Sequence, residues 1–131
     1  MLFRSRRAGK DVTLAAVGLM VPTALRAASI LAGEGIDVEV VDMRTVAPLD
    51  RQTLCTSAAK TRRLVVADPS WRSGSVAGEI ITSVVEEVEL KSRPARVCLP
   101  DSHTPMSQTL EAKYYPSDEV VAGIVREVCH R

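Results

Sequence analysis

Aromatic residues are scarce, with one Phe, one Trp and two Tyr among 131 residues. A groove that stacks bases needs several such rings, so single-stranded nucleic acid is not an expected partner. An excess of charge is missing too: Lys+Arg 17 against Asp+Glu 16 leaves a net charge of +1, with no pull on a phosphate backbone. No apolar run approaches the ~20 residues of a membrane helix, and the first residues lack the apolar centre of a secretion signal. Cys55, Cys98 and Cys129 are odd in number and form no Cys-x-x-Cys pair. A disulfide framework or zinc site is therefore not expected, and the thiols read as small buried groups. Together these absences predict a protein of the cytoplasm or another reducing compartment, with no nucleic-acid or membrane partner.

Catalytic signatures are missing as well. There is no Gly-x-x-x-x-Gly-Lys phosphate loop, no Gly-x-Ser-x-Gly elbow and no His/Cys/Asp cluster at metal-ligand spacing. Gly33-Glu-Gly35 ends a helical pattern and does not join a strand to a helix, so it reads as a helix stop and not as a dinucleotide fingerprint.

What is present is alternation of strand and helix patterns through one domain, residues 1–131. Arg4, Arg6 and Arg7 in Leu2–Arg7 suit an edge strand, where positive charge discourages aggregation. Val12–Val17 is nearly all apolar, as a central strand covered on both faces must be. Pro22 sits in the first turn of a helix whose apolar face is Ala24, Leu25, Ala28, Leu31 and Ala32. Ile36–Val41 alternates, with Asp37 and Glu39 on its polar side, which suits a strand nearer an edge. Asp50 is placed to cap the next helix, with Leu49 and Leu54 as a hydrophobic staple. Ala95–Leu99 reads as a strand and Pro100–Ser107 as a loop. Ser117, Asp118 and Glu119 open a last helix whose stripe is Val120, Val121, Ile124, Val125 and Val128.

The rest is organised around Leu64-Val-Val-Ala-Asp68-Pro-Ser-Trp71-Arg72-Ser-Gly74-Ser75, followed by Val76, Ile80, Ile81, Val84, Val85 and Val88 at helical spacing. This reads as a short buried strand ended by Asp68-Pro69, a turn and an amphipathic helix. Loops after the carboxyl ends of strands are where open α/β sheets meet ligands and partners. Asp68, Trp71, Arg72, Gly74, Ser75, Asp101, His103 and Pro105 are therefore the interface or ligand-loop candidates. Trp71 beside Arg72 has the composition of an interface anchor. His103 beside Asp101 and Ser102 holds the ingredients of acid–base chemistry, but sequence neighbours seldom face one another as a triad requires. No residue is assigned a catalytic role.

Four segments in register carry a family resemblance: Gly9-Lys-Asp11-Val-Thr with Gly18; Val40-Val-Asp42-Met-Arg44-Thr-Val-Ala-Pro48-Leu-Asp50; Asp68 with Trp71-Arg-Ser-Gly74 and Ala77-Gly-Glu-Ile80; and Thr104-Pro105-Met-Ser-Gln-Thr-Leu110-Glu111 before Tyr115-Pro116. The chain resembles the C-terminal domain of the transketolase family. Within it, the closest likeness is to the beta subunit of the thiamine-diphosphate-dependent first component of 2-oxo acid dehydrogenase complexes. The resemblance implies a three-layer α/β/α fold on a mainly parallel five-stranded mixed sheet with one antiparallel edge strand. It also implies an assembly domain, inactive alone, standing apart from the rest of its beta subunit. Thiamine diphosphate and magnesium belong to the intact enzyme and are held by other domains, through a Gly-Asp-Gly motif that this chain lacks. The implied partners are the remaining domains of the beta subunit, the alpha subunit, a second beta subunit and the acyltransferase component. The family usually has a second glycine where this chain has Ser75, so no backbone role is carried over there. Two other readings stay open: the same domain of a transketolase or deoxyxylulose phosphate synthase, and an autonomous small-anion-binding module with Gly74 and Ser75 near a helix N-terminus.

Overall fold

The computed structural model describes residues 4–131. The apolar run Val12–Ala16 forms β2, buried at every position between two parallel neighbours, β3 (Val38–Asp42) and β4 (Leu64–Trp71). β5 (Ala95–Leu99) pairs parallel with β4, and β1 (Arg4–Arg7) pairs antiparallel with β3, giving the order β1-β3-β2-β4-β5. This is the expected five-stranded mixed sheet, with the arginine-bearing strand at its antiparallel edge. Leu2 and Phe3, assigned to the same strand from sequence, lie outside the described residues.

Successive strand residues face opposite sides of the sheet, and two apolar clusters result. Leu14, Val40 and Val65 pack with α1 (Met20–Ala32) and α5 (Asp118–His130) on one face. Ala15, Val41 and Val66 pack with α2 (Arg51–Thr61) and α3 (Val76–Val85) on the other. Among the described residues, no helix is long and apolar enough to cross a membrane.

Local chemistry sets the helix ends. Gly35 takes φ +81, a conformation that favours glycine, and lets the Ile36 N–H reach the Leu31 carbonyl and its own N–H reach that of Ala32, closing α1. The Asp50 carboxylate accepts from the Thr53 N–H at 3.1 Å, and Leu49 and Leu54 join one cluster as the staple pattern requires. The Ser117 hydroxyl accepts from the Val120 N–H at 3.3 Å. Arg26 to Asp118 and Arg126 to Glu34 then tie α5 to α1 and its terminal turn.

Four expectations are corrected. Glu39 is not on a solvated face: α2 covers it, Ser57 donates to it at 2.9 Å and Lys60 pairs with it. Ala32, Val85 and Val120 sit at the margins of their helical stripes and are exposed. β4 does not end at Asp68-Pro69. It continues to Trp71 through a bulge, advancing from Ala67 to Trp71 while β5 advances only from Val97 to Leu99. Pro69 is tolerated there because a bulge leaves its missing N–H outside the ladder. Finally, a short helix, α4 (Gln108–Tyr114), follows the 100–107 loop.

Candidate functional site

The β4 bulge builds the site. Its anchor is Asp68, which is 1% exposed and therefore lies beneath the surface. Its carboxylate accepts from the Ala77 N–H at 3.0 Å and from the N–H and hydroxyl of Ser70. One buried acid thus fastens both the bulge and the first turn of α3, where free N–H groups and the helix dipole favour negative charge. Gly74 completes the connection at φ +72, a left-handed conformation that a side chain would strain. Ser75 begins α3 without a side-chain cap, because its hydroxyl lies 3.7 Å from the Cys98 sulfur instead. Burial pushes the Cys98 thiol up, and the Ser75 contact only partly offsets this, so Cys98 is a poor nucleophile at neutral pH.

Held from below in this way, Trp71 projects outward and is half exposed. Its indole N–H donates to the Tyr114 hydroxyl at 3.1 Å, and that hydroxyl donates to the Ser102 carbonyl at 2.6 Å. His103 meets the Trp71 ring edge-on at a centroid distance of 6.3 Å. Beside them the Asp101 carboxylate accepts from the Ser73 N–H at 3.1 Å and from its hydroxyl. These bonds, backed by Arg72 and Arg96, hold the Asp101 carboxyl below its ordinary range. Asp101 is therefore engaged in joining two loops, and no carboxylate–imidazole–hydroxyl relay forms with His103 among the described residues.

Two shallow clefts flank Trp71. One, of about 350 Å³, is bounded by Trp71, Ser73, Asp101, Ser102 and His103. The other, of about 370 Å³, runs past Pro69, Gly74, Thr104 and Tyr115. Beyond them Pro105 is half-buried, Met106 is fully exposed and Leu110 is 56% exposed. No residue of α4 is buried.

The structure thus gathers Trp71, Gly74, Asp101 and His103 on one surface, places Asp68 under it as a support, and leaves Pro105 at its margin. Sequence reasoning missed Leu110, Tyr114 and Arg96; Met106 falls within the loop it assigned to the surface but was not singled out. Leu110 and Tyr114 lie four positions apart, the spacing of a helix face, and that was the available signal.

Comparison with known proteins agrees with this architecture. Residues 3–121 match the family model described as transketolase, C-terminal domain. The beta subunit of acetoin:2,6-dichlorophenolindophenol oxidoreductase from Cupriavidus necator is 42% identical over 92% of this chain and 36% of that subunit. The mitochondrial pyruvate dehydrogenase E1 component subunit beta of Pisum sativum is 40% identical over 95% of the chain and 35% of its own length. The chain thus spans about a third of these relatives. A solved structure described as a split gene transketolase, inactive beta4 tetramer, superposes with a TM-score of 0.86 at 32% identity, covering 98% of this chain and 42% of that one. By matched segment, fold and sequence identity, the chain belongs to the transketolase C-terminal domain family.

Proposed function

We propose that this chain serves as the C-terminal assembly domain of the beta subunit of a thiamine-diphosphate-dependent 2-oxo acid dehydrogenase. The observation that carries the reading is α4, which buries none of its residues while Met106 and Leu110 stand exposed beside Trp71. A helix of 7 residues is too short to be stable unaided, and packing against another surface supplies what the domain itself does not. A Trp ringed by polar groups, with apolar neighbours, has the composition of an interface centre. The remaining domains of the beta subunit, the alpha subunit and a second beta subunit are the proposed partners, with the acyltransferase component as a further one. The three cysteines are free, which suits the cytoplasm or another reducing compartment.

The residues present do not fit a thiamine diphosphate and magnesium site. The sequence has no Gly-Asp-Gly, and the described residues contain no group of three His, Cys, Asp or Glu able to hold a metal ion. No chemical step is assigned to this chain. Its contribution is orientation, because a cofactor that carries the chemistry still needs its surrounding domains in fixed positions.

A mixing experiment tests the proposal. The chain is added to a beta-type subunit truncated before its C-terminal domain, with the alpha subunit, thiamine diphosphate and magnesium, and 2-oxo acid decarboxylation is followed. Activity is expected to return with the added chain and to weaken with Trp71→Ala; no association with the truncated subunit would overturn the proposal. A second reading, the same role in a transketolase, is favoured by the likeness to the split gene transketolase. Ketol transfer in place of decarboxylation in the parallel mixture would select it.

A further inference from the structure

A second surface lies beside this site, on the outer edge of the sheet, and goes beyond the assembly reading. Among the described residues β5 ends the strand order, with no strand beyond it. Along it runs an open groove of about 510 Å³ touched by three successive β5 residues, Arg96, Val97 and Cys98, and closed on its other side by α5 through Val120 and Ile124. Successive strand residues point to opposite faces, so a groove that meets all three approaches the strand along its edge. The Leu99 carbonyl accepts from the Arg72 N–H on the β4 side at 3.0 Å. By alternation, Arg96 and Cys98 turn their own backbone groups outward, towards the groove.

The charge of this groove is one-sided. Arg72, Arg96 and Lys113 line it, and no Asp or Glu does. None of the three forms an ion pair among the described residues. The two guanidinium groups are nonetheless held in place. Arg96 donates to the Arg72 carbonyl at 3.1 Å, and Arg72 to the Arg96 carbonyl at 3.5 Å. Each such bond occupies one nitrogen and leaves donors of the planar fork free for a carboxylate. Asp101, the acid nearby, feels the charge of both guanidinium groups but directs its hydrogen bonds to Ser73 and makes none with them. The floor is apolar, with Val120 51% exposed and Ile124 half-buried.

We propose that an extended acidic segment of a partner protein, alternating carboxylate and apolar side chains, adds to the outer edge of β5. Main-chain bonds to the Arg96 N–H and to Cys98 hold its backbone, Arg72 and Arg96 take its carboxylates, and Val120 and Ile124 receive its apolar residues. Strand addition of this kind separates affinity, from the main chain, from specificity, set by alternate side chains. Arg72, exposed, and Arg96, half-buried on β5, also explain how the edge stays free meanwhile, since charge on an edge strand opposes pairing with chains that bring no complementary charge.

The test is titration of the 131-residue chain with a blocked peptide of alternating Glu and Val, read by amide NMR shifts and hydrogen exchange. Peptides with Gln or Lys in place of Glu, and inorganic phosphate, serve as comparisons. The Glu peptide is expected to shift and protect the Arg96 and Cys98 amides, and to bind about tenfold more weakly to the double variant Arg72→Gln, Arg96→Gln. Should that variant not fold, Lys113→Gln on the exposed rim is expected to weaken binding severalfold. Equal binding of the Gln peptide would overturn the proposal, as would shifts elsewhere on the chain. Phosphate saturating the same amides, with the Glu peptide no tighter, would overturn it in favour of a small-anion site. None of these outcomes depends on recovery of activity in the mixing experiment, so the two readings fail separately.

Discussion

At the β1–β3 end of the sheet, polar groups that face α2 find partners within the chain. The Ser57 hydroxyl donates to Glu39 at 2.9 Å; the Thr13 hydroxyl lies 2.9 Å from that of Ser57 and 2.8 Å from that of Thr61, which donates to the Arg63 carbonyl at 3.0 Å. Lys60 closes this network as the ion-pair partner of Glu39. At the β5 end the reverse holds. Trp71, Met106, Leu110 and Val120 stand exposed, and Arg72, Arg96 and Lys113 face no carboxylate across their groove. The network facing α2 resolves its chemistry internally and is stabilised by doing so; the β5 end leaves apolar area and charge available, which stabilises only a complex. Between the two lie β2, buried throughout, and β4, buried from Leu64 to Asp68.

Substitution separates the two ends most sharply. Leu54 is fully buried between α2 and the sheet, and Leu54→Ala is expected to destabilise the chain by about 2–5 kcal/mol, measured by urea unfolding. Leu110→Ala, the same truncation at an exposed site, is expected to stay within about 0.5 kcal/mol. Comparable losses at both positions would erase the contrast. Asp68→Ala comes next. It strips the Ala77 N–H and the Ser70 backbone of their acceptor, and should cost about 1–3 kcal/mol while loosening the bulge that carries Trp71. An unchanged Trp71 fluorescence spectrum in that variant would show that the bulge stands without its anchor.

The smallest effect is a pH dependence. Hydrogen bonds from Ser73 hold the Asp101 carboxyl down, so its stabilising contribution is present above the pKa of the unfolded chain and is lost as pH falls through the lower folded value. A fluorescence change of Trp71, the only tryptophan, is expected below about pH 4, and is expected to be missing in Asp101→Asn.

Much of the fold was legible because its signals are local. Asp50 and Ser117 cap helices through residues three positions away, Gly35 stops a helix by its own conformation, and the apolar β2 announces burial on both faces. What escaped depends on distant segments. Glu39 looks solvated until Ser57 and Lys60 of α2 are laid over it. Asp68-Pro69 looks like a strand end, yet the backbone resumes its ladder at Trp71 because Leu99 is there to pair with it. Periodicity located the stripes of α3 and α5 but not their width, so Val85 and Val120 were assigned inward and lie outside. Of the site, Asp101 and His103 were legible as loop residues, and Trp71 as an exposed anchor, although it closes β4 and is not in a loop. The meeting of Trp71 with Tyr114, across 43 positions of sequence, was not.

The most direct measurement is hydrogen exchange on the chain, alone and bound to a beta-type subunit truncated before its C-terminal domain. Protection confined to the Trp71–Gly74 loop and to Ser102–Tyr114 is the predicted result. Protection centred on β1 and α2, with the β5 end exchanging as it does in the free chain, would contradict it.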